Sequence, residues 1–332
     1  MNKKRWAALG IAAFLFVASL IVNLFSTFAF GDVSDWFTDS TLSEKTLEDG
    51  DMFNRIAVLE INGPIEDTGT PGSIFAVGGY NHRSFMEQMN QVKNDDTVKA
   101  VIIKVNSPGG GVVETAEVHD KIKEIQEEAG KPVYISMGTM ATSGGYYISA
   151  PAHKIFAAPD TLTGSLGVII QGFNFSGLAE KFGVEVVTFK SGPYKDILSS
   201  LRDMTEEEKK IIEQLIENAH NQFVKVISEG RGLPEDEVRK MADGRIYDGR
   251  QALELRLIDG HGYFEDVLET VKEEQKLKNP MVFTYSQGYG WENLFYYGTQ
   301  KLMKDDFDME VRALIQTLQE KHAPRLMYLY SE

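Results

Sequence analysis

The chain has 332 residues, 42% of them hydrophobic, enough for a full core in one large domain or two ordinary ones, and this excludes wholesale disorder. It has no cysteine, which excludes disulfides, thiolate metal sites and a cysteine nucleophile together. The net charge is −15, and an acidic chain of this kind speaks against nucleic acid as a partner.

Residues 1–5 form a short basic tail with Lys3, Lys4 and Arg5. Trp6 to Phe30 then runs without a charge. About 20 apolar residues cross a hydrocarbon core, so 6–30 is expected to be a transmembrane anchor. Basic residues before the span put that end in the cytoplasm and the body outside, as a single-pass protein of the cell membrane. A cleaved signal peptide is the rival, but its apolar region is only about 7–15 residues long, and no small-x-small cleavage site follows here. Without the basic tail the body has 31 basic against 49 acidic residues, a charge of −18. Residues 31–54 are polar and acidic and read as a juxtamembrane stalk.

Arg55 to Ile61 reads as a buried strand ended by Asn62-Gly63-Pro64. Thr68 to Tyr80 is Gly-rich and reads as a loop. A short helix is expected over His82 to Val92 and a second buried strand over Val98 to Val105. A helix over Glu114 to Glu128 puts Val118, Ile122 and Ile125 on one face, with Gly130 beyond its end. Val133 to Met137 is the third strand, and a helix-compatible run, Tyr146 to Ala152, follows it. Further strands are expected over Lys154 to Ala157, Gly167 to Gln171 and Val184 to Phe189. Thr205 and Glu208 make a capping box for a helix to Ser228, with Gly230 as its stop. A last helix is expected over Asp308 to Glu320. This alternation implies an α/β fold of repeated β-β-α units. The domain is expected over 55–275 and a C-terminal extension over 276–332.

Two segments carry chemistry. Ser143, in Thr139-Met140-Ala141-Thr142-Ser143-Gly144-Gly145, falls where a strand gives way to a helix. That placement presents a hydroxyl together with free backbone N–H groups, as a serine nucleophile requires. Ser107-Pro108-Gly109-Gly110 fits a type II turn after a buried strand, which presents the Gly110 amide above the sheet. The amides of Gly110 and Gly144 together would make an oxyanion hole. The Gly-rich turn lacks a Gly-Lys-Ser/Thr ending, so a phosphate-binding loop is not supported.

The base is less legible. None of the six histidines, His82, His119, His153, His220, His261 and His322, has a setting that marks it as a base. Lys195 lies between the turn Ser191-Gly192-Pro193 and the apolar Ile197-Leu198. A lysine acts as a base only when neutral, hence desolvated. Spacing alone leaves both a histidine and Lys195 open.

The chain resembles the signal peptide peptidase A family of membrane-bound serine proteases, in its short form with one catalytic domain per chain. The anchor, Asn106 to Gly110, Ala141 to Tyr147, Thr163-Gly164-Ser165-Leu166-Gly167-Val168, Ser191 to Lys195, Ala242 to Tyr247 and Gly249 to Leu253 carry the likeness, over roughly residues 55 to 270. The resemblance implies a Clp/crotonase-type fold and a Ser–Lys dyad. In it Ser143 is the nucleophile, Lys195 the general base, Ser165 a serine that orients the lysine, and Gly110 and Gly144 the oxyanion donors. It implies no metal and no cofactor. It suggests a homo-oligomer, a ring of eight, acting on apolar peptides, the signal peptide remnants of secretion, with small side chains near the cut. Three rival readings stand beside it: a Clp-type Ser-His-Asp peptidase, a crotonase-like acyl-CoA enzyme and an inactive membrane scaffold. The apolar end Arg325 to Tyr330 is expected either to dock on its own domain or to reach a neighbour's groove as a pseudo-substrate.

Overall fold

The computed structural model describes residues 42–67, 79–287 and 326–330. The expected anchor over 6–30, most of the stalk, the loop over 68–78 and the expected helix over 308–320 lie outside the described residues. Among the described residues no helix is long and apolar enough to cross a membrane. The chain divides into two compact units, 1–43 with 286–304 and 44–285 with 305–332. Only residues 42–43 and 286–287 of the first are described, and the second holds the fold that follows.

In chain order the elements are β1 (Leu42–Glu48), β2 (Asp51–Asn62), α1 (His82–Asn94), β3 (Val98–Ser107), β4 (Gly109–Gly111), α2 (Val112–Glu127), β5 (Val133–Thr142) and α3 (Gly144–Ser149). There follow β6 (Lys154–Ala157), β7 (Leu162–Gly164), α4 (Ser176–Lys181), α5 (Glu206–Arg231), α6 (Glu235–Met241), β8 (Ile246–Tyr247) and α7 (Gly249–Glu254). The last are β9 (Gly260–His261), α8 (Phe264–Glu274), β10 (Pro280–Gln287) and β11 (Met327–Leu329). The main sheet runs β1-β10-β2-β3-β5-β6-β9, with β7 joined to β5 and β8 to β7. Its centre is parallel: Ile56 pairs with Ala100, and Val101 with Val133. Parallel strands covered on both faces carry near-continuous apolar runs, which is why Arg55–Ile61, Val98–Val105 and Val133–Met137 were readable as strands. Ile56, Ala100 and Tyr134 on one face pack with Val267, Leu268 and Val271 of α8.

Helix ends follow local chemistry. Asn81 caps α1 by accepting from Ser84 N–H, and Thr205 with Glu208 closes a full capping box on α5. The helix α5 does not stop at Gly230 as expected. It runs on to Arg231 and ends at Gly232, whose φ of 62° supplies the left-handed cap. Gly230 serves packing instead: a Cβ there would collide with the Ala150 carbonyl.

Three expectations are corrected. Leu42–Glu48, in the expected stalk, is an edge strand beside β10. Residues 167–171 make only a single bridge, Ile169 to Met327, and residues 184–190 form no ladder at all. The apolar pattern of Val184, Val186, Val187 and Phe189 is real, but these side chains are exposed and the segment meets no partner strand. A strand needs a neighbour for its backbone groups, and alternation alone does not supply one.

Lys131 shows how tightly the layers are tied. Its residue is 6% exposed, and Nζ donates to the carbonyls of Val92, Lys93 and Asp95, each at 2.8 Å. These oxygens close the C-terminal end of α1. Burial lowers the pKa of this lysine, opposed by Asp95 and Asp96. Replacing Lys131 by Met leaves the carbonyls without their charged donor and is expected to cost about 3 kcal/mol, read as a lowered midpoint of denaturant unfolding with an unchanged slope.

Candidate active site

Parallel strands β3 and β5 end side by side, with Ser107 opposite Ala141. After β3 the chain turns at Pro108 and Gly109, where a φ of 103° requires glycine. Ser107 Oγ accepts from Gly109 N–H at 3.1 Å and closes the turn. Strand β4 follows, and Ile65 flanks it, donating to the Gly109 carbonyl at 2.8 Å and accepting from Gly111 N–H at 3.0 Å.

After β5 comes Ser143, at φ 51° and ψ −114°. A non-glycine residue held there is strained, and such strain collects at working sites. Its amide donates to the Gly164 carbonyl at 2.7 Å, and its carbonyl accepts from Tyr146 and Tyr147 N–H at 2.9 Å each. These bonds lock the elbow from which α3 starts. Ser143 Oγ is buried and has no hydrogen-bond partner, and the same is true of Thr142 Oγ1. No other buried side-chain oxygen or nitrogen among the described residues is unpaired. Buried polar groups are normally satisfied, so an orphan at such an elbow marks a group awaiting a partner.

Ser165 comes one residue after Gly164, which pairs with Thr142. Ser165 also has a φ of 51°, is buried, and donates its amide to the Arg245 carbonyl at 2.7 Å. Ser143, Gly144, Gly110 and Ser165 are thus gathered at the ends of β4, β5 and β7. Lys195 is not among them. Its side chain is exposed on a turn, and no hydrogen bond joins its Nζ to Ser143 or Ser165. The turn itself is well held: Lys190 Nζ reaches Asp196 at 2.6 Å, and Arg202 bridges Asp196 Oδ2 at 2.9 Å and Glu208 Oε2 at 2.8 Å.

The described histidines are engaged elsewhere. His82 meets Tyr80 and Glu117, His119 meets Asp120, His153 meets the Tyr134 ring, His220 the Ala242 carbonyl and His261 the Gly249 carbonyl. His322 lies outside the described residues.

The C-terminal strand occupies the groove. In β11, Tyr328 pairs antiparallel with Gly110 and Leu329 with Gly109, and Tyr330 N–H reaches the Pro108 carbonyl at 2.9 Å. On its other side Met327 exchanges two bonds with Ile169, at 3.0 and 3.1 Å. A Cβ on Gly109 would collide with the Tyr328 carbonyl oxygen and lie 2.6 Å from the Gly144 amide nitrogen. A Cβ on Gly144 would lie 3.0 Å from the same oxygen. That carbonyl therefore sits between the two glycine loops. The Tyr328 ring is buried, stacked on Tyr147 at 4.9 Å and tilted against Phe223 at 4.7 Å, and its hydroxyl donates to the Ala219 carbonyl at 3.0 Å. The pocket that the tail fills takes an aromatic ring. Sequence reading did not find Tyr147, Phe223 or Ile169 as part of the groove. The only signal was the tyrosine pair after Gly145, which has the pattern of plain core.

A strained serine at a strand-to-helix elbow, faced by two amide-bearing glycine loops and a groove that takes a β-strand, is the equipment of a Clp-like serine peptidase. Residues 76–163 match the Clp protease family, and residues 125–278 match Peptidase family S49. A protein of Enterococcus faecium named "Putative signal peptide peptidase SppA" is 42% identical over 294 residues, covering 86% of this chain and 85% of that one. Protease 4 of Salmonella typhi is 34% identical over 229 residues, covering 69% of this chain and 36% of its own. The chloroplastic serine protease SPPA of Arabidopsis thaliana is 31% identical over 229 residues, covering 68% of this chain and 33% of its own. The chain belongs to peptidase family S49 and is a serine protease.

Two outcomes follow. Gly109→Ala puts a methyl group at the mouth of the groove on a backbone that disfavours it, and is expected to cut kcat/KM by about 10²-fold or more with the far-UV spectrum unchanged. The second concerns the Lys195 turn. Arg202, then Lys190, holds the Asp196 carboxyl well below its ordinary value, and Arg202, then the Thr205 amide, pulls Glu208 down to about 2. Carboxyls depressed on folding stabilise fully above their unfolded pKa and lose that contribution as pH falls toward the folded value. The protection of residues 190–208 against hydrogen exchange, relative to the intrinsic rate at each pH, is therefore expected to fall from about pH 4.5 downward, ahead of the central strands.

Proposed function

We propose that this serine protease is a membrane-anchored endopeptidase that hydrolyses remnant signal peptides through a Ser143–Lys195 dyad. The observation that carries the reading is the seat of the tail: an extended peptide paired with β4, its Tyr328 carbonyl between the loops of Gly110 and Gly144, beside the unpaired Ser143 hydroxyl. This is strand addition, a common way for proteins to hold extended peptides.

In the proposed reaction neutral Lys195 takes the Ser143 proton as Oγ attacks the peptide carbonyl. The amides of Gly110 and Gly144 hold the resulting oxyanion. Gly110 is the better donor than Gly109, whose amide is already given to Ser107 Oγ. The lysine ammonium then protonates the leaving amine, the C–N bond breaks, and water activated by the same lysine releases the acyl group. Ser165 orients the amine. The proton count closes without a metal or a cofactor.

A lysine acts as a base only when desolvated, and Lys195 is exposed on its turn, so the base needs cover. On the segment that leads to Lys195, Phe182, Val187 and Phe189 are exposed, Phe189 at 95%. We read this surface as the seat of a second copy, which desolvates Lys195 beside a nucleophile in a homo-oligomer, a ring of eight by family resemblance. The run Trp6 to Phe30 would anchor the chain with its N-terminus in the cytoplasm and the catalytic domain outside, where remnant signal peptides meet it at the bilayer surface. The name of the Enterococcus faecium relative supports this substrate class.

Ser143→Ala and Lys195→Ala are each expected to lower hydrolysis of an apolar peptide by about 10³-fold or more. The wild-type rate is expected to fall as the solution is acidified, because the base must be neutral. If both variants keep their activity, the dyad is wrong.

A further inference from the structure

The aromatic pocket beneath the tail has a second layer. Tyr147, stacked on Tyr328, also meets the ring of His119 from α2, with 5.3 Å between centroids and 64° between planes. His119 is 7% exposed, and its Nδ1 lies 2.8 Å from Asp120 Oδ1. The charged groups that face it are Asp120 and Lys123 on its own helix and Glu229 on α5. The Tyr147 hydroxyl on α3 is held by Gln222. His119 takes no part in the proton transfers proposed above, yet it is one ring away from the residue that fills the groove.

We propose that His119 is a positioning residue: it holds Tyr147 as the wall of the aromatic pocket and so sets a preference for an aromatic side chain at the residue whose carbonyl faces the Gly110 and Gly144 amides. The inference rests on reading the seated tail as the pose of a substrate. Edge-to-face ring contacts are favourable beyond the area they bury, and an edge contact on a stacked ring limits its rotation. Burial lowers the pKa of His119, with Lys123 adding to that effect and Asp120 and Glu229 opposing it. The ring is neutral when it packs on Tyr147. Protonation puts a charge into a nearly closed space and favours turning the ring off Tyr147 toward Glu229 and water, which frees Tyr147.

The test uses the full chain and two peptides that differ only in Tyr or Ala before the cut. The readout is the ratio of their kcat/KM values between about pH 8 and about pH 5, the range in which a histidine titrates. Ionisation of the nucleophile and the base is common to both peptides and cancels in the ratio, as does competition by the tail. In the wild type the ratio is expected to favour Tyr by about tenfold or more at the upper end and to fall several-fold toward the lower. His119→Phe, which keeps a ring without a proton, is expected to retain the preference and lose the pH dependence. His119→Ala is expected to lose most of the preference at every pH while kcat on the Ala peptide is kept. A wild-type ratio near one overturns the substrate pose and the proposal with it. A Tyr preference that is flat in pH, or that has the same pH dependence in His119→Phe, overturns the role of His119 and leaves the pose standing. Should His119→Ala fail to fold, the profile of His119→Phe decides alone.

Discussion

The 2.7 Å bond from the Ser143 amide to the Gly164 carbonyl is the constraint on which the site depends. It ties the end of β5 to the end of β7 at the residue where φ turns positive. Together with the Tyr146 and Tyr147 amides on the Ser143 carbonyl, it holds the serine in a conformation that costs of the order of 1–3 kcal/mol. With it, the elbow fixes the first turn of α3, and Gly144 is brought close to Gly109, the Gly144 Cβ position lying 3.0 Å from the Gly109 Cα. Ser165 follows Gly164 directly, so the second serine is placed by the strand pairing that restrains the first.

The parts of this site that were readable from sequence are those whose geometry is local. A proline followed by glycine demands a turn of one kind, and the observed φ at Gly109 is that turn. Ser143 stood out because a strand pattern ended and a helix pattern began on either side of it. What could not be read depends on partners far away in the chain. Leu42–Glu48 is a strand because β10, more than two hundred residues later, lies beside it. Residues 184–190 have strand-like alternation and no neighbour to pair with. Tyr147 and Phe223 looked like core, and the structure makes them a pocket because a ring from the far end of the chain packs against both. Gly230 and Gly232 sit two residues apart, and sequence does not say which one turns the chain and which one lets another backbone come near.

The surroundings of Ser143 weigh on the rival readings. A Ser-His-Asp peptidase needs a histidine bonded to the serine, and the Ser143 hydroxyl has no partner while the described histidines meet other groups. A crotonase-like enzyme would use the two glycine loops but has no use for a strained serine between them. Lys195 is held on a turn by an acidic and basic network that fixes its backbone and leaves its head free.

The close approach of Gly230 to the Ala150 carbonyl has a mechanical consequence. Ala150 caps the short helix that begins at Ser143, and Gly230 lies near the end of the long helix whose middle supplies Ala219 and Phe223. The two helices are clamped at one point with no side chain between them, so the long helix is a lever fixed at its far end. The span from pocket floor to nucleophile is then a set length rather than an adjustable one. The tail fits that length: its Tyr328 hydroxyl reaches the Ala219 carbonyl while its own carbonyl lies between the two glycine loops.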